Sequence, residues 1–115
     1  MMPVMAYDED LAMRLRDLLA GEADIAQQRM FGGVAFLAGG NLAVAASGQG
    51  GLMVRVDPGQ TDALLGEPGA GPFEMRGRPV DGWVRVAADA VAGDRELRTW
   101  VDRGLGYARS LPAKR

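Results

Sequence analysis

The chain of 115 residues contains no cysteine and no histidine. Without cysteine, it can form neither a disulfide nor a thiolate nucleophile nor a cysteine-ligated metal site. Without histidine, it lacks the commonest general base and the commonest transition-metal ligand. These absences leave only metal sites with oxygen ligands and chemistry that carboxylates can perform, and we expect a protein that is not an enzyme.

Long hydrophobic runs are also missing, since no stretch approaches the roughly 18 apolar residues of a membrane span. The first ten residues, MMPVMAYDED, lack the basic and apolar regions of a secretion signal. We therefore expect a cytoplasmic protein with no membrane partner. The length predicts a single domain over residues 1–115.

The net charge of −2 is unevenly distributed along the chain. Residues 1–70 carry nine acidic and four basic residues, whereas residues 71–115 carry six acidic and nine basic residues. A surface that binds nucleic acid usually has a larger positive excess than this second half has. Nucleic-acid binding is therefore our second hypothesis.

Hydrophobic periodicity predicts a first helix over residues 8–20, capped by Asp8 and ended by Gly21. Its core face comprises Leu11, Leu15, Leu18 and Leu19. Residues 22–28 are interpreted as a connector.

Three antiparallel strands are then expected over residues 30–37, 42–46 and 52–56, separated by glycine-rich turns. Alternation places Val34, Leu42 and Val44 on one apolar face, and it places Met53 and Arg55 on a partly solvated face.

The second half contains a short helix, two strands and a long helix. Asp57 and Pro58 suit the start of the short helix over residues 61–65. Strands are predicted over residues 73–75 and 83–87, and the last helix over residues 94–110 with Asp94 as its cap. The resulting fold class is α+β, a single antiparallel sheet with flanking helices in the order α-β-β-β-α-β-β-α.

One candidate interaction site is the sequence Met30-Phe31-Gly32-Gly33. Paired glycines beside a strand indicate a bulge or a close approach of the backbone, because glycine otherwise weakens a strand. The pair either bends the first strand, so that Met30 and Phe31 pack on a helix, or forms a recognition surface.

A second candidate is the pair Arg76 and Arg78, on either side of Gly77. Their guanidinium groups suit a phosphate or a carboxylate, with Trp83 nearby as a stacking surface. The alternative is an ordinary turn with solvated arginines and Trp83 in the core. The acidic run from Asp8 to Asp10 is explained better by a helix start than by a metal site.

Several motifs, taken in order, resemble the N-terminal domain of the TfoX/Sxy family of bacterial competence regulators. The resemblance covers almost the whole chain. The motifs are Met30-Phe31-Gly32-Gly33, Phe36, Arg55-Val56-Asp57, Phe73-Glu74-Met75, Gly77-Arg78-Pro79, Gly82-Trp83, Leu97, Trp100 and the terminal SLPAKR.

This resemblance implies an α+β fold similar to secretion-chaperone-like domains, with no catalytic residue and no cofactor. Full-length members resemble transcriptional co-regulators of DNA-uptake genes that act with a cyclic-AMP receptor-type activator. They also carry a C-terminal helical domain, which this sequence is expected to lack.

The first functional hypothesis is therefore a non-enzymatic regulatory module that binds a protein, such as a transcription factor. A homodimer formed through a strand edge or a helix is a variant of it. The second is direct nucleic-acid binding through the basic C-terminal half. The residues expected to carry that binding are Arg76, Arg78, Arg95, Arg98, Arg103, Arg109, Lys114 and Arg115.

Overall fold

The computed structural model describes residues 8–30 and 32–113. Its helices are α1 (Glu9–Leu19), α2 (Thr61–Leu64) and α3 (Asp94–Ser110), with short 3-10 helices at Pro58–Gln60 and Ala88–Val91. Its strands are β1 (Ile25–Met30), β2 (Gly33–Ala38), β3 (Asn41–Ala46), β4 (Leu52–Arg55), β5 (Ala70–Met75) and β6 (Arg78–Val86). The strands form one antiparallel sheet in the order β1-β2-β3-β4-β6-β5. The predicted α+β class is confirmed.

Both long helices lie where the periodicity predicts them. The Asp8 carboxylate caps α1 by accepting a hydrogen bond from the Leu11 backbone N–H at 3.1 Å. For α3 the predicted cap is wrong, because Gly93 occupies the cap position and Asp94 is the first helical residue. The Asp94 carboxylate instead forms an ion pair with Arg14 of α1 at 3.2 Å.

The interpretation of residues 22–28 as a connector is wrong, because β1 begins at Ile25. All six residues of β1 pair with β2. The strand lies at the edge of the sheet and its four central side chains are exposed. An exposed edge strand does not require alternating apolar residues, and hydrophobic periodicity therefore gives no signal for it. The sheet has one strand more than predicted.

The main core lies between the sheet and the helices α1 and α3. Leu15, Leu52 and Leu97 are almost fully buried there, and Trp100 is 4% exposed. The helix α3 packs closely on the sheet at Gly104, because a Cβ at this position would lie 2.6 Å from the carbonyl oxygen of Ala43. Glycine therefore allows α3 to approach the backbone of β3.

The other face of the sheet carries a second apolar cluster. The pairing of β2 with β3 shifts register between Phe36 and Leu37. A shift of one residue reverses the face on which a side chain lies, so Leu42 packs with Ala35, Ala45 and Met53. The predicted placement of Leu42 beside Val44 is therefore wrong. Met53 is 1% exposed, and the expected partial solvation of this face does not extend to it.

The radius of gyration is 13.4 Å, as expected for one compact domain of about 100 residues. In the part of the chain that the structure describes, none of the helices combines the length and the hydropathy needed to span a membrane.

Candidate interaction surface

Within the Met-Phe-Gly-Gly sequence, Met30 ends β1, Gly32 lies in the turn and Gly33 begins β2. Gly32 has a φ of +71°, which favours glycine. A Cβ at Gly33 would overlap the carbonyl oxygen of Ala46 on β3, so a larger residue does not fit. Gly32 therefore allows the turn, and Gly33 allows the backbone of β2 to approach that of β3 closely. The predicted bend within one strand is wrong because it assumed that β1 was absent.

Of the other two residues in that motif, Met30 is half-buried and packs against the second apolar cluster, rather than against a helix. Phe31 lies outside the described residues. A recognition role for this turn stays a prediction.

A tight hairpin turn carries the second candidate pair. Only Arg76 and Gly77 form the turn, and β6 begins at Arg78, so the strand is longer than predicted. The φ angles of Arg76 and Gly77, +54° and +78°, match the turn type that a two-residue hairpin loop favours. Arg76 is the one non-glycine residue with a positive φ within residues 8–30 and 32–113.

The end of this hairpin, residues 74–79, is exposed. We call it the hairpin tip. β4 pairs with β6 only from Trp83 to Val86, so the tip extends beyond the last residue of β4. Met75 is 54% exposed, and neither Arg76 nor Arg78 has an ion-pair partner among the described residues. The tip therefore presents two free cationic side chains beside an apolar one.

A row of rings lies near the base of the same hairpin. The Phe73 and Trp83 rings are 5.9 Å apart, and both are half-buried against the second apolar cluster. The Arg55 guanidinium lies 5.9 Å from the Trp83 ring and 5.5 Å from the Tyr107 ring of α3. Trp83 thus lies half-buried at the edge of the second cluster. The sequence left two alternatives for this residue, an exposed stacking surface and a buried core residue, and its burial is intermediate between them.

The arginines of α3 are arranged differently, because most have carboxylate partners. Arg109 contacts both carboxylate oxygens of Asp24, at 3.0 and 2.7 Å, and lies 2.7 Å from Glu22. Hydrogen bonding from this guanidinium holds the pKa of Asp24 below its ordinary value, and the same bonds raise the pKa of Arg109. This bidentate pair joins the segment before β1 to the C-terminal turn of α3.

Two further arginines of α3 are paired as well. Arg103 lies 3.2 Å from Glu67 and stacks over the Trp100 ring at 4.5 Å, and Arg98 lies 3.8 Å from Asp102. The basic residues expected to bind nucleic acid are therefore divided between the hairpin tip and α3, where Arg95 is exposed and has no ion pair among the described residues but the other three arginines are paired. Lys114 and Arg115, which belong to the same predicted set, lie outside the described residues.

No cluster that could hold a metal is found among residues 8–30 and 32–113. A groove of about 500 Å³ lies between α1 and the start of α3. Arg14 on its wall already donates to the carbonyl oxygens of Val91 and Ala92 and to Asp94. The groove walls carry both charge signs, since they include Asp17 and Asp94 as well as arginines.

Comparison with known proteins identifies one family and one similar structure. Residues 17–108 match the family model of the TfoX N-terminal domain. A crystal structure of a protein from Pseudomonas syringae has a similar fold, with a TM-score of 0.61 and 15% sequence identity. The similarity covers 84% of this chain and 97% of that one. A comparison with curated proteins gave no significant match.

Proposed function

Since the chain belongs to the TfoX N-terminal domain family, we propose that it is a non-enzymatic, cytoplasmic module that binds a regulatory protein, such as a transcription factor that controls competence genes. The hairpin tip is the proposed contact surface. Its two arginines and Met75 suit a partner surface with carboxylates around an apolar depression.

The observation that carries this proposal is the backbone conformation of Arg76. A non-glycine residue in the left-handed region costs about 1 kcal/mol, and glycine or asparagine would occupy the same turn at lower cost. The Arg76 side chain is exposed and forms no ion pair among the described residues, so no ion pair with them offsets that cost. Strain of this kind is characteristic of functional positions.

The neighbouring residues support the same interpretation. Met75 and Arg78 are paired across the hairpin on either side of the turn, and both are exposed. A large exposed apolar side chain between two cations is costly in water and useful at an interface, where aromatic residues, methionine and arginine are enriched.

The test is affinity capture of the tagged protein from native lysate with nuclease present, comparing wild type with the double variant Arg76→Gly/Arg78→Ala. We expect a stoichiometric protein partner that survives nuclease and is lost with the double variant. Arg95→Ala is the matched control, because it removes an exposed arginine from α3 and leaves the tip intact. Retention of the same partner by the double variant would contradict the proposal.

Measuring the stability of the variant distinguishes a loss of partner binding from a loss of folding. Glycine tolerates the φ of +54° at position 76 and Arg78 is exposed, so the free energy of unfolding of the double variant should lie within about 1 kcal/mol of wild type. Urea unfolding of the purified proteins measures this difference. A partner lost at unchanged stability supports a contact role for the tip.

A further inference from the structure

The two edges of the sheet differ in how well they are protected against pairing with another strand. β5 contains Gly71 and Pro72, and its pairing with β6 shifts register between Pro72 and Glu74. Proline and register shifts at an edge prevent regular pairing with another chain. β1, at the opposite edge, has neither glycine nor proline, and all six of its residues pair with β2 in unbroken register.

The hydrogen-bond pattern shows which backbone groups of β1 point outward. The Gly39 N–H donates to the carbonyl oxygen of Asp24 at 3.0 Å. Since hydrogen-bonded pairs alternate in an antiparallel ladder, Ala26, Gln28 and Met30 exchange bonds with β2. The N–H and C=O groups of the intervening residues point away from the sheet. Those residues are Ile25, Gln27 and Arg29.

We infer that β1 pairs with β1 of a second copy of this chain, antiparallel and centred on Gln27, to join the two sheets into one. This arrangement sets Gln27 opposite the partner's Gln27, and Ile25 opposite Arg29 of the partner subunit. All three outward-facing residues then form hydrogen-bonded pairs, which gives six backbone hydrogen bonds.

The side chains fit this register better than its neighbours. Arg29 is the single charged residue of β1. Centring on Arg29 would set two like charges directly opposite each other, which destabilises a strand pair. Centring on Ile25 would use fewer of the outward-facing groups. The Gln27 register avoids both problems, and it needs no partner other than the chain itself.

This contact lies at the edge of the sheet opposite the β5–β6 hairpin, so it is independent of the proposed function.

Amide hydrogen exchange of the wild-type protein, measured by NMR at several protein concentrations, tests the register of the β1–β1 pair directly. We expect protection of the Ile25, Gln27 and Arg29 amides to rise as sedimentation shows a dimer forming. The Ala26 and Gln28 amides should be protected at every concentration, because they bond to β2. A monomer at all concentrations with fast exchange at the three outward-facing amides would overturn the inference.

A matched pair of variants tests the contribution of one outward-facing N–H. Both Gln27→Pro and Gln27→Ala remove the hydrogen bond at 2.7 Å from Arg16 to the Gln27 side chain. Only proline also removes the outward-facing backbone donor, and it leaves the bonds to β2 in place. Proline should raise the dimer dissociation constant at least about tenfold over that of the alanine variant, because two hydrogen bonds are lost per dimer.

Equal dissociation constants for the two variants would place any dimer contact elsewhere and overturn the inference. Circular dichroism shows whether each variant is folded. If Gln27→Pro does not fold, the alternating exchange pattern of the wild-type protein decides the question by itself.

Discussion

At the scale of single residues, the partners of each arginine decide what it contributes. Arg109 on α3 is held by Asp24 and Glu22, whereas Arg76 and Arg78 at the hairpin tip have no ion pair among the described residues. Sequence alone presents all of these residues as one basic group. Ion pairs between segments that are distant in the chain therefore distinguish arginines that stabilise the fold from arginines that are available to bind a partner.

The Asp24–Arg109 pair predicts a specific acid dependence of stability. The folded-state pKa of Asp24 is lowered, so its contribution is present above the ordinary carboxyl pKa and is lost as the pH falls through the lowered value. Asp24→Asn should therefore be less stable than wild type at neutral pH. The difference between the two proteins should disappear at strongly acidic pH.

Urea unfolding of wild type and Asp24→Asn at a series of pH values measures this effect. Asp81→Asn is the control, since Asp81 is an exposed carboxylate of β6 with no ion pair among residues 8–30 and 32–113. A difference between wild type and Asp24→Asn that stays constant with pH would contradict the assignment.

At the scale of elements, the helices were predictable and one strand was not. The helix α3 spans Asp94–Ser110, the predicted range, because its apolar stripe and its terminal residues are local signals. β1 was missed because its stability depends on pairing with β2, and its own side chains are mostly polar and exposed. Leu42 was assigned to the wrong face because alternation cannot reveal a register shift between two strands.

The packing of α3 on β3 predicts opposite effects for two glycines of the same helix. A Cβ at Gly104 would lie 2.6 Å from the Ala43 carbonyl oxygen and 2.9 Å from Val44 Cγ1, whereas one at Gly106 would meet nothing within 4 Å. Gly104→Ala should lower the free energy of unfolding by about 2 kcal/mol because the helix must shift away from the sheet. Gly106→Ala should raise it by about 0.5 to 1 kcal/mol through helix propensity.

Urea unfolding of the two single variants provides the comparison, and Gly106→Ala serves as the control for helix propensity. Changes of the same sign would show that α3 does not approach β3 as closely as described.

At the scale of the whole molecule, the distribution of free charge bears on nucleic-acid binding. Arg98, Arg103 and Arg109 are paired with carboxylates, whereas the two arginines of the hairpin tip lie close together without an ion pair among the described residues. We expect any binding to duplex DNA to be weak. Its log–log dependence on salt should have a slope no steeper than about −2, corresponding to the two free arginines of the tip.

Fluorescence anisotropy of labelled duplex DNA across a range of salt concentrations measures that slope. Arg98→Ala should not change it, because Arg98 is paired with Asp102. A slope well beyond the expected value, or a large loss of affinity with Arg98→Ala, would favour the basic C-terminal half as a nucleic-acid surface.

By itself, the sequence determined the α+β class, both long helices, the cap at Asp8 and the identity of the family. Each of these depends on local periodicity, on capping residues or on motifs read along the chain. The tertiary structure alone decided the edge strand β1, the face of Leu42, the close approach at Gly33 and the pairing of Arg109. These features arise from contacts between segments distant in sequence, and such contacts leave no periodic signal in either segment.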